Sequence, residues 1–257
     1  MIELSHIHKY YNPGTVNEMC LFEDFSLTIE DGSFVSIVGS NGSGKTSLLN
    51  IICGSIPVER GHIYIDSEDI TNEKEYIRHR SIGRVYQDPS KGTCASMTIL
   101  ENMAIADNKG KPYNLGRSVR RSRMDYYKSL LAPLGLGLED KLDTRVGSLS
   151  GGQRQAVALL MATMTPIRML ILDEHTAALD PKTAEIIMQL TGRIVEEKKI
   201  TTIMVTHNLR YAVEYGDRLL MMHEGNAIID QSGDEKKALT VEDLMDTFNS
   251  ISIECGN

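Results

Sequence analysis

Glycines, a lysine and a threonine at fixed spacing are the residues of this chain that point most directly to chemistry. Residues 39–46 fit the pattern G-x-x-x-x-G-K-[ST]. In such a loop the glycines let backbone N–H groups turn inward, and a following helix adds the positive end of its dipole. Lys45 can reach the β and γ phosphates of a nucleotide, and the Thr46 hydroxyl can hold Mg²⁺. The predicted phosphate-binding residues are Gly39, Ser40, Asn41, Gly42, Ser43, Gly44, Lys45, Thr46 and Ser47.

The elements on either side of this loop support that interpretation. Residues 34–38 form a short apolar run that is typical of a strand, and residues 48–53 are typical of a buried helix. Gly54 and Pro57 then supply stop signals for the helix. The alternative is a glycine-rich turn that binds nothing. It is disfavoured because strand, lysine, threonine and helix all occur in the required order.

Two acids, Asp173 and Glu174, follow the apolar run 170–172. In an open parallel sheet, ligands lie beyond the carboxyl ends of the strands, so Asp173 is expected to face the Mg²⁺ held by Thr46. Glu174 is then placed to orient or deprotonate an attacking water. Taken alone, the two acids are explained equally well as a solvated pair at the end of a strand. The phosphate loop is what favours the catalytic interpretation.

Residues 150–152 are a serine and two glycines, and a helix is predicted to start after Ser150. Ser150 can cap that helix, and the glycines let an anion approach the backbone. A plain helix cap accounts for Ser150 but leaves Gly151, Gly152 and Gln153 unexplained.

The remaining pattern predicts an α/β protein. Strands are indicated within residues 1–30 and at 61–66 and 81–87, and the pattern from 97 to 132 is helical. Apolar strands near 169–172 and 202–205 flank a helix over about 182–197, which is typical of a parallel crossover unit. Residues 218–230 are interpreted as a hairpin that turns at 224–226. Residues 234–257 are interpreted as a short helix and a loose tail.

Composition excludes several classes of protein. The chain has 257 residues, of which 41% are apolar, enough for one sizeable core. It shows neither an apolar run long enough to cross a bilayer nor the start of a signal peptide. Its 4 cysteines are scattered, which fits a reducing cytosol. A net charge of −8 disfavours a nucleic-acid partner.

These motifs and their order resemble those of the ATP-binding cassette (ABC) ATPases, whose signature L-S-G-G-Q stands here at residues 149–153. The resemblance covers residues 2 to about 230. It implies that Tyr11 stacks on adenine, with Tyr10 as the competing candidate, and that Gln87 belongs to the Q-loop. It also implies that Asp180 belongs to the D-loop and that His207 is the switch histidine. Taken alone, Gln87 could be a surface group and His207 a capping or packed residue.

The resemblance also implies a fold. It predicts a P-loop NTPase core with a RecA-like, mostly parallel sheet and flanking helices, an antiparallel β subdomain and an inserted α-helical subdomain. The expected boundaries are a single ATPase domain over residues 1–233, with the helical subdomain at about 88–156, followed by a C-terminal helix and tail at 234–257.

The resemblance further implies a mechanism that uses ATP and Mg²⁺. The implied catalytic residues are Glu174, His207 and Gln87, and the implied metal ligands are Thr46, Gln87 and Asp173. Two copies of the chain are expected to pack head to tail about a two-fold axis, and that axis makes the interface isologous. The signature of one copy then closes on the γ phosphate held by the other. The signature residues that act in trans are Leu149, Ser150, Gly151, Gly152 and Gln153.

The implied function is the energy-coupling subunit of an ABC transporter. Separate permease subunits and a substrate-binding protein are its expected partners, and the cytoplasmic face of the cell membrane is its expected location. A free-standing cassette resembles bacterial importers, and residues 173–184 are similar to a subgroup associated with tryptophan or tyrosine. The alternative is an ABC-type ATPase that acts on ribosomes or DNA. It is disfavoured by the single cassette and the acidic charge.

Two features depart from the family pattern or stand outside it. His175 stands where many cassettes have proline or alanine. It is either a tolerated loop residue or a titratable group that makes hydrolysis depend on pH. A basic stretch between Lys109 and Lys128 contains Arg117, Arg120, Arg121 and Arg123. It is either a solvated face or a docking surface for an acidic permease helix or anionic lipid.

Overall fold

Strands and helices alternate along most of the chain in this computed structural model, which describes residues 1–112 and 118–254. The strands are β1 Ile2–Tyr11, β2 Met19–Ile29, β3 Phe34–Gly39, β4 Arg60–Ile65, β5 Glu68–Asp69, β6 Ile82–Val85, β7 Met169–Asp173, β8 Thr201–Val205, β9 Arg218–His223 and β10 Asn226–Ser232. The α-helices are α1 Lys45–Cys53, α2 Glu75–Arg78, α3 Ile99–Asp107, α4 Met124–Leu131, α5 Gly151–Thr163, α6 Pro181–Lys198, α7 Leu209–Glu214, α8 Gly233–Ala238 and α9 Val241–Glu254.

The described residues divide into two compact units. The first holds Met1–His79 together with the chain from Lys199 onward, and the second holds Arg80–Lys198. The predicted domain boundaries, with one domain over 1–233 and a helical subdomain at about 88–156, stay a prediction. Among the described residues, every helix is too short or too polar to cross a bilayer.

Alternating apolar residues build an antiparallel sheet in the first unit. Its strand order is β2-β1-β4-β5. In β2, Phe25, Leu27 and Ile29 are buried while the residues between them are exposed, as period-two side chains require. This sheet positions the end of β1, where Tyr10 and Tyr11 lie.

The phosphate-loop segment belongs to a second sheet region of the same unit. All residues of β3 are buried, as expected for a strand that runs parallel between neighbours. β3 pairs in parallel with β8 on one side and with β9 on the other. β9 and β10 form the predicted hairpin, with Glu224 and Gly225 at φ 44° and 77° in its turn. The sheet therefore fixes both edges of the strand that leads into the loop.

The C-terminal segment differs from the short helix and loose tail predicted for residues 234–257. It forms α8 and α9, and α9 extends to Glu254. Thr240 and Asp243 cap the start of α9 reciprocally through backbone N–H donors. Leu244, Phe248 and Ile251 follow at helical spacing and pack in a core cluster with Val38 and Met221. The predicted tail at residues 255–257 lies outside the described residues. The sequence carried this signal, a T-x-x-D box before an apolar stripe.

The second unit contains a parallel strand pair and most of the long helices. β6 and β7 pair in register from Ile82 with Met169 to Val85 with Leu172. The helical pattern predicted from 97 to 132 resolves into α3 and α4, with a capping box of Thr98 and Glu101 at the start of α3. α6 spans 18 residues, close to the predicted helix.

Candidate functional site

Gly39 ends β3 at a place where no other residue fits. Its φ is 152°, and a Cβ there would overlap the backbone oxygen of Met222 on β9 and lie 2.8 Å from Ser43 Oγ. A larger residue would push the loop away from the sheet. The glycine therefore sets where the phosphate loop leaves the strand.

The start of α1 offers backbone donors to an anion. Its N-cap is Gly44, with φ 102° and no side-chain cap. The first N–H groups of a helix lack partners within the helix, and they add to the positive end of its dipole. Thr46, in the first turn, is exposed. This combination suits the phosphates of a nucleotide.

Lys45 lies across the inside of the loop. Its side chain is buried, and Nζ donates to the carbonyl oxygens of Gly39 and Ser40, each at 2.8 Å. A third, longer bond of 3.4 Å reaches Ser43 Oγ. The ammonium group thus lies among the backbone carbonyls of the loop. Its predicted contact with the β and γ phosphates of a nucleotide stays a prediction.

Tyr11 contacts the phosphate-loop helix, whereas Tyr10 points to the other face of its strand. The hydroxyl of Tyr11 lies 3.0 Å from Ser47 Oγ, and Lys9 Nζ stands 5.5 Å from the centre of the Tyr11 ring. This placement favours Tyr11 over Tyr10 as the aromatic residue that belongs to the nucleotide site.

His207 lies beside the phosphate loop in the same unit. A pocket of about 300 Å³ opens there. Its lining includes Ser40, Asn41, Thr206, His207, Leu209 and Phe248. His207 does not cap α7, because Asn208 Oδ1 accepts the bond from the Tyr211 N–H instead. His207 is exposed and lines this pocket together with residues of the phosphate loop. Phe248, which the sequence interpretation did not include, brings α9 into the same wall.

Asp173 is held by a cation on the neighbouring strand. Arg84 Nη2 donates to Asp173 Oδ2 at 2.7 Å, and the two side chains are only 6% and 14% exposed. The guanidinium also lies 4.7 Å from the centre of the Tyr86 ring. Sequence reasoning missed Arg84, although a charged residue inside the apolar strand β6 was a usable signal.

Glu174 has an unusual backbone conformation. Its φ is 50°, in the left-handed region that residues other than glycine seldom adopt. Its carbonyl accepts a 3.0 Å bond from the Ala177 N–H, which closes a tight turn after β7. Such a conformation costs about 1–3 kcal/mol, so the surroundings must impose it.

His175 is buried directly after that residue. It is 2% exposed, and Nε2 lies 3.2 Å from Oγ1 of the buried Thr191 on α6. Desolvation lowers the pKa of His175 to about 4. The imidazole is therefore neutral throughout the physiological range, and the hypothesis that it makes hydrolysis titrate near neutral pH is not supported. A packed residue of the turn is the better description.

Gln87 is exposed just beyond β6. The residue before it is fixed, since Gln155 Nε2 of α5 donates to the Tyr86 carbonyl at 3.1 Å. The end of this strand is thereby tied to the signature helix, while the side chain of Gln87 faces solvent.

The signature residues begin α5. Ser150 and Gln153 form a reciprocal capping box with bonds of 3.3 Å, so the cap accounts for the glutamine as well as the serine. A Cβ at Gly152 would overlap the γ-methyl of Thr183, whereas at Gly151 it would meet only Leu179 Cδ2 at 3.4 Å. Packing therefore requires Gly152. Gly151 is exposed, and its small size leaves the backbone open to a ligand.

Asp180 and Leu149 complete this region of the second unit. Asp180 is exposed, and its carboxylate accepts a 3.1 Å bond from the Thr183 N–H at the start of α6. Hydrogen bonds from Thr183 lower the pKa of Asp180. Leu149 is buried and anchors the segment before the signature glycines. The D-loop and signature candidates thus lie close together, because Asp180 and Gly152 both contact Thr183 and Gly151 faces Leu179.

The arginines of the basic stretch differ in their partners. Arg123 binds the largely buried Asp107 through two bonds of 2.9 Å, although its own side chain is 38% exposed. Arg120 and Arg121 are exposed, and Arg117 lies outside the described residues. This arrangement does not decide between a solvated face and a docking surface.

The structure assembles the predicted residues in two groups. The first unit brings together the phosphate loop, Tyr11 and His207; the second holds Asp173, Glu174, Gln87, the signature and Asp180. A glycine loop between a buried strand and a helix, in a chain with an acid-ended strand, defines a P-loop ATPase of the α/β class.

Comparison with known proteins identifies the family. Residues 22–177 match the family described as ABC transporter. The chain belongs to this family and is one of its ATP-binding, ATP-hydrolysing cassettes, which confirms the predicted α/β P-loop NTPase fold.

Three similar proteins cover nearly the whole chain. It is 48% identical to a tyrosine transport ATP-binding protein of Clostridioides difficile, over 96% of this chain and 98% of the relative. It is 31% identical to a phosphonates import ATP-binding protein of Lactobacillus gasseri, over 97% of this chain and 94% of that relative. The solved structure of the cassette MJ0796, a post-hydrolysis dimer bound to ADP and Pi, superposes on this chain with a TM-score of 0.76. The two sequences are 30% identical, and the match covers 90% of this chain and 98% of that chain.

Replacing Arg84 by Met leaves the carboxylate of Asp173 without its cation in a largely buried place. We expect the free energy of unfolding to fall by about 3 kcal/mol, as when one member of a buried ion pair is removed. Urea denaturation followed by circular dichroism measures it. Arg210→Met is the matched control, because Arg210 and Glu214 are 61% and 50% exposed and their pair contributes below about 1 kcal/mol. Equal losses in both variants would contradict the prediction.

The buried His175 makes the free energy of unfolding depend on pH. The unfolded chain protonates this imidazole below about pH 6.5, whereas the native one stays neutral down to about 4. Because the unfolded state binds more protons in that window, stability falls as the pH drops through it. Between pH 7 and pH 5 this group accounts for a loss of about 2 kcal/mol. Urea titrations at pH 7 and pH 5 measure the free energy of unfolding of both proteins. We expect the loss between the two pH values to be smaller in His175→Gln than in wild type by about 2 kcal/mol. The same pH dependence in both proteins would refute the prediction.

Proposed function

We propose that the chain is the ATP-hydrolysing subunit of an importer whose cargo is an aromatic amino acid, tyrosine or tryptophan. The observation that carries this proposal is the 48% identity, over almost the full length of both chains, with a tyrosine transport ATP-binding protein. Similarity to an import ATP-binding protein for phosphonates supports the inward direction. The cargo assignment rests on the first relative, since the cassette residues do not themselves contact cargo in this proposal.

ATP binds with its phosphates in the loop and its adenine on the Tyr11 ring. The uncapped start of α1 and the Lys45 ammonium supply the positive charge for the phosphates. The Tyr11 hydroxyl contact with Ser47 ties the aromatic ring to the same loop. Loop residues Gly39 to Ser47 are the proposed binding set.

Mg²⁺ fits the donor groups that the sequence assigns to it. Thr46 offers a hydroxyl, Gln87 an amide oxygen and Asp173 a carboxylate, which are the oxygen ligands that Mg²⁺ prefers. When bound, the ion neutralises charge that develops on the β and γ phosphates. Arg84 keeps the Asp173 carboxylate in one orientation, which pre-organises that ligand.

Hydrolysis uses Glu174 as the base that orients and deprotonates water. His207 contacts the γ phosphate, and Gln87 contacts the same water. Proton removal by a positioned carboxylate contributes about 10²–10⁴-fold to a rate. The tight turn after β7 supports this role, because it restricts where the backbone of Glu174 can place its carboxylate.

A second copy of the chain completes each site. The signature residues Leu149 to Gln153 and the D-loop Asp180 act on ATP held by the other copy. The dimeric state of the MJ0796 cassette with ADP and Pi supports this arrangement. Exposed Gly151, which packing does not require, supports a backbone approach to phosphate.

Membrane-spanning permease subunits are the proposed partners that convert this dimer cycle into transport, with a substrate-binding protein delivering the cargo. The chain then works at the cytoplasmic face of the membrane, held there by the permease.

Proteoliposomes containing the assembled transporter test the proposal. Uptake of labelled tyrosine or tryptophan that needs ATP supports it, and uptake of neither contradicts the cargo.

Replacing Glu174 by Gln removes the base but keeps the shape of the side chain. We expect ATP turnover to fall by about 10²–10⁴-fold while ATP affinity is retained. Steady-state phosphate release and equilibrium binding of ATP measure the two effects. Glu196→Gln, an exposed position on α6, is the matched control and should turn over ATP as wild type does. Near-normal turnover in Glu174→Gln would falsify the assignment.

Replacing Tyr11 by Ala removes the proposed adenine platform. We expect ATP affinity to fall by about 1–3 kcal/mol, as when an aromatic residue is removed from a stacked base. Isothermal titration with ATP measures the loss. Tyr10→Ala, one residue earlier on β1, is the control and should bind ATP nearly as wild type does. If Tyr10→Ala carries the larger loss, the two tyrosines have been assigned in the wrong order.

A further inference from the structure

The backbone of Glu174 must be held by its neighbours. A glutamate at φ 50° is outside the regions that side-chain-bearing residues prefer, so an isolated chain would seldom keep it there. β7 fixes the residue before it, because Asp173 ends a strand that is buried from Met169 to Leu172. The turn after it is closed by the Ala177 N–H bond to the Glu174 carbonyl. What anchors this turn to the rest of the unit is therefore important.

His175 provides such an anchor through Thr191. Both side chains are buried, at 2% and 0% exposure, and Nε2 lies 3.2 Å from Oγ1. Thr191 Oγ1 also donates to the Ile187 carbonyl at 2.7 Å. A threonine hydroxyl has a single hydrogen, and that bond uses it. Nε2 of His175 must then be the donor to Oγ1, which assigns the Nε2–H tautomer of a neutral imidazole.

The direction of this hydrogen-bond chain has a consequence for the turn. The Ile187 carbonyl and Thr191 are fixed by α6, a helix of 18 residues, so the position of the imidazole is set by a rigid element. The next residue back is Glu174, and its φ is linked directly to the placement of His175. A helix thereby holds the carboxylate-bearing residue through one side chain.

We propose that His175 is a positioning residue that, through its hydrogen bond to Thr191, holds Glu174 in the orientation needed to activate water. This proposal rests on the proposed role of Glu174 as the base. His175 does not touch ATP or water in it, and it acts only through the residue before it. A misplacement of about 1 Å in a catalytic group can cost about 10²-fold in rate.

Four single variants test the hydrogen bond. His175→Leu and Thr191→Val remove the donor and the acceptor with little change in volume, whereas His175→Gln and Thr191→Ser retain them. We expect the first two to lower kcat about tenfold with the KM for ATP changed less than about twofold, as for misplaced groups. We expect the second two to retain at least about half of the wild-type kcat, since each keeps the bond. Equal kcat in all four variants would overturn the proposal.

A second background separates positioning from a loss of folded protein. In Glu174→Gln there is no base left to position, so adding His175→Leu should leave the residual rate unchanged within about twofold. A purely structural role would lower the rate by the same factor in both backgrounds, and that result would overturn the proposal. Circular dichroism and ATP titration of each variant establish that the protein compared is folded and binds nucleotide.

The same experiments distinguish failure of this inference from failure of the proposed function. If Glu174→Gln alone keeps near-normal turnover, Glu174 is not the base and the proposed function fails. If Glu174→Gln is slow but His175→Leu turns over ATP as wild type does, only the positioning role fails.

Discussion

A close backbone approach between Gly39 and Met222 is the constraint on which the phosphate loop depends. Because nothing larger than a hydrogen fits at Gly39, the end of β3 can lie against β9 and the chain can turn at once into α1. The uncapped first turn of that helix is then aimed at the space above the strand. Lys45 crosses this space and bonds the loop carbonyls, so charge and backbone donors converge on one small volume.

The two acids at the end of β7, Asp173 and Glu174, are held by different means. Asp173 is fixed electrostatically, by a buried guanidinium on the neighbouring strand. Glu174 is fixed by its backbone, in a turn whose next side chain is locked into α6. This difference fits their proposed roles, since a metal ligand needs its oxygens presented and a base needs its direction defined. Neither device contributes to stability in a simple way: a buried ion pair loses hydration, and a left-handed glutamate is strained.

Local patterns predicted those parts of the molecule that local physics determines. The strand before the phosphate loop, the helix after it and the hairpin at 218–230 follow from periodicity and glycine placement. The charge of Arg84 inside an apolar strand was visible in the sequence, but its pairing with Asp173 was not, because that depends on the register of β6 against β7, two strands far apart in sequence. The φ of Glu174 has no sequence signal either. α9 was underestimated because its polar composition masked three apolar residues at helical spacing.

The order of synthesis places the phosphate loop in an exposed position for some time. β3 leaves the ribosome early, yet its neighbours β8 and β9 come late, and the Phe34 N–H bonds an aspartate 183 residues further on. At about 5–20 residues per second, that interval lasts about 10–40 s. Throughout it the apolar edge of β3 has no native strand beside it and can pair with other chains. The nucleotide cradle can therefore take its final form only after β8 and β9 have been synthesised.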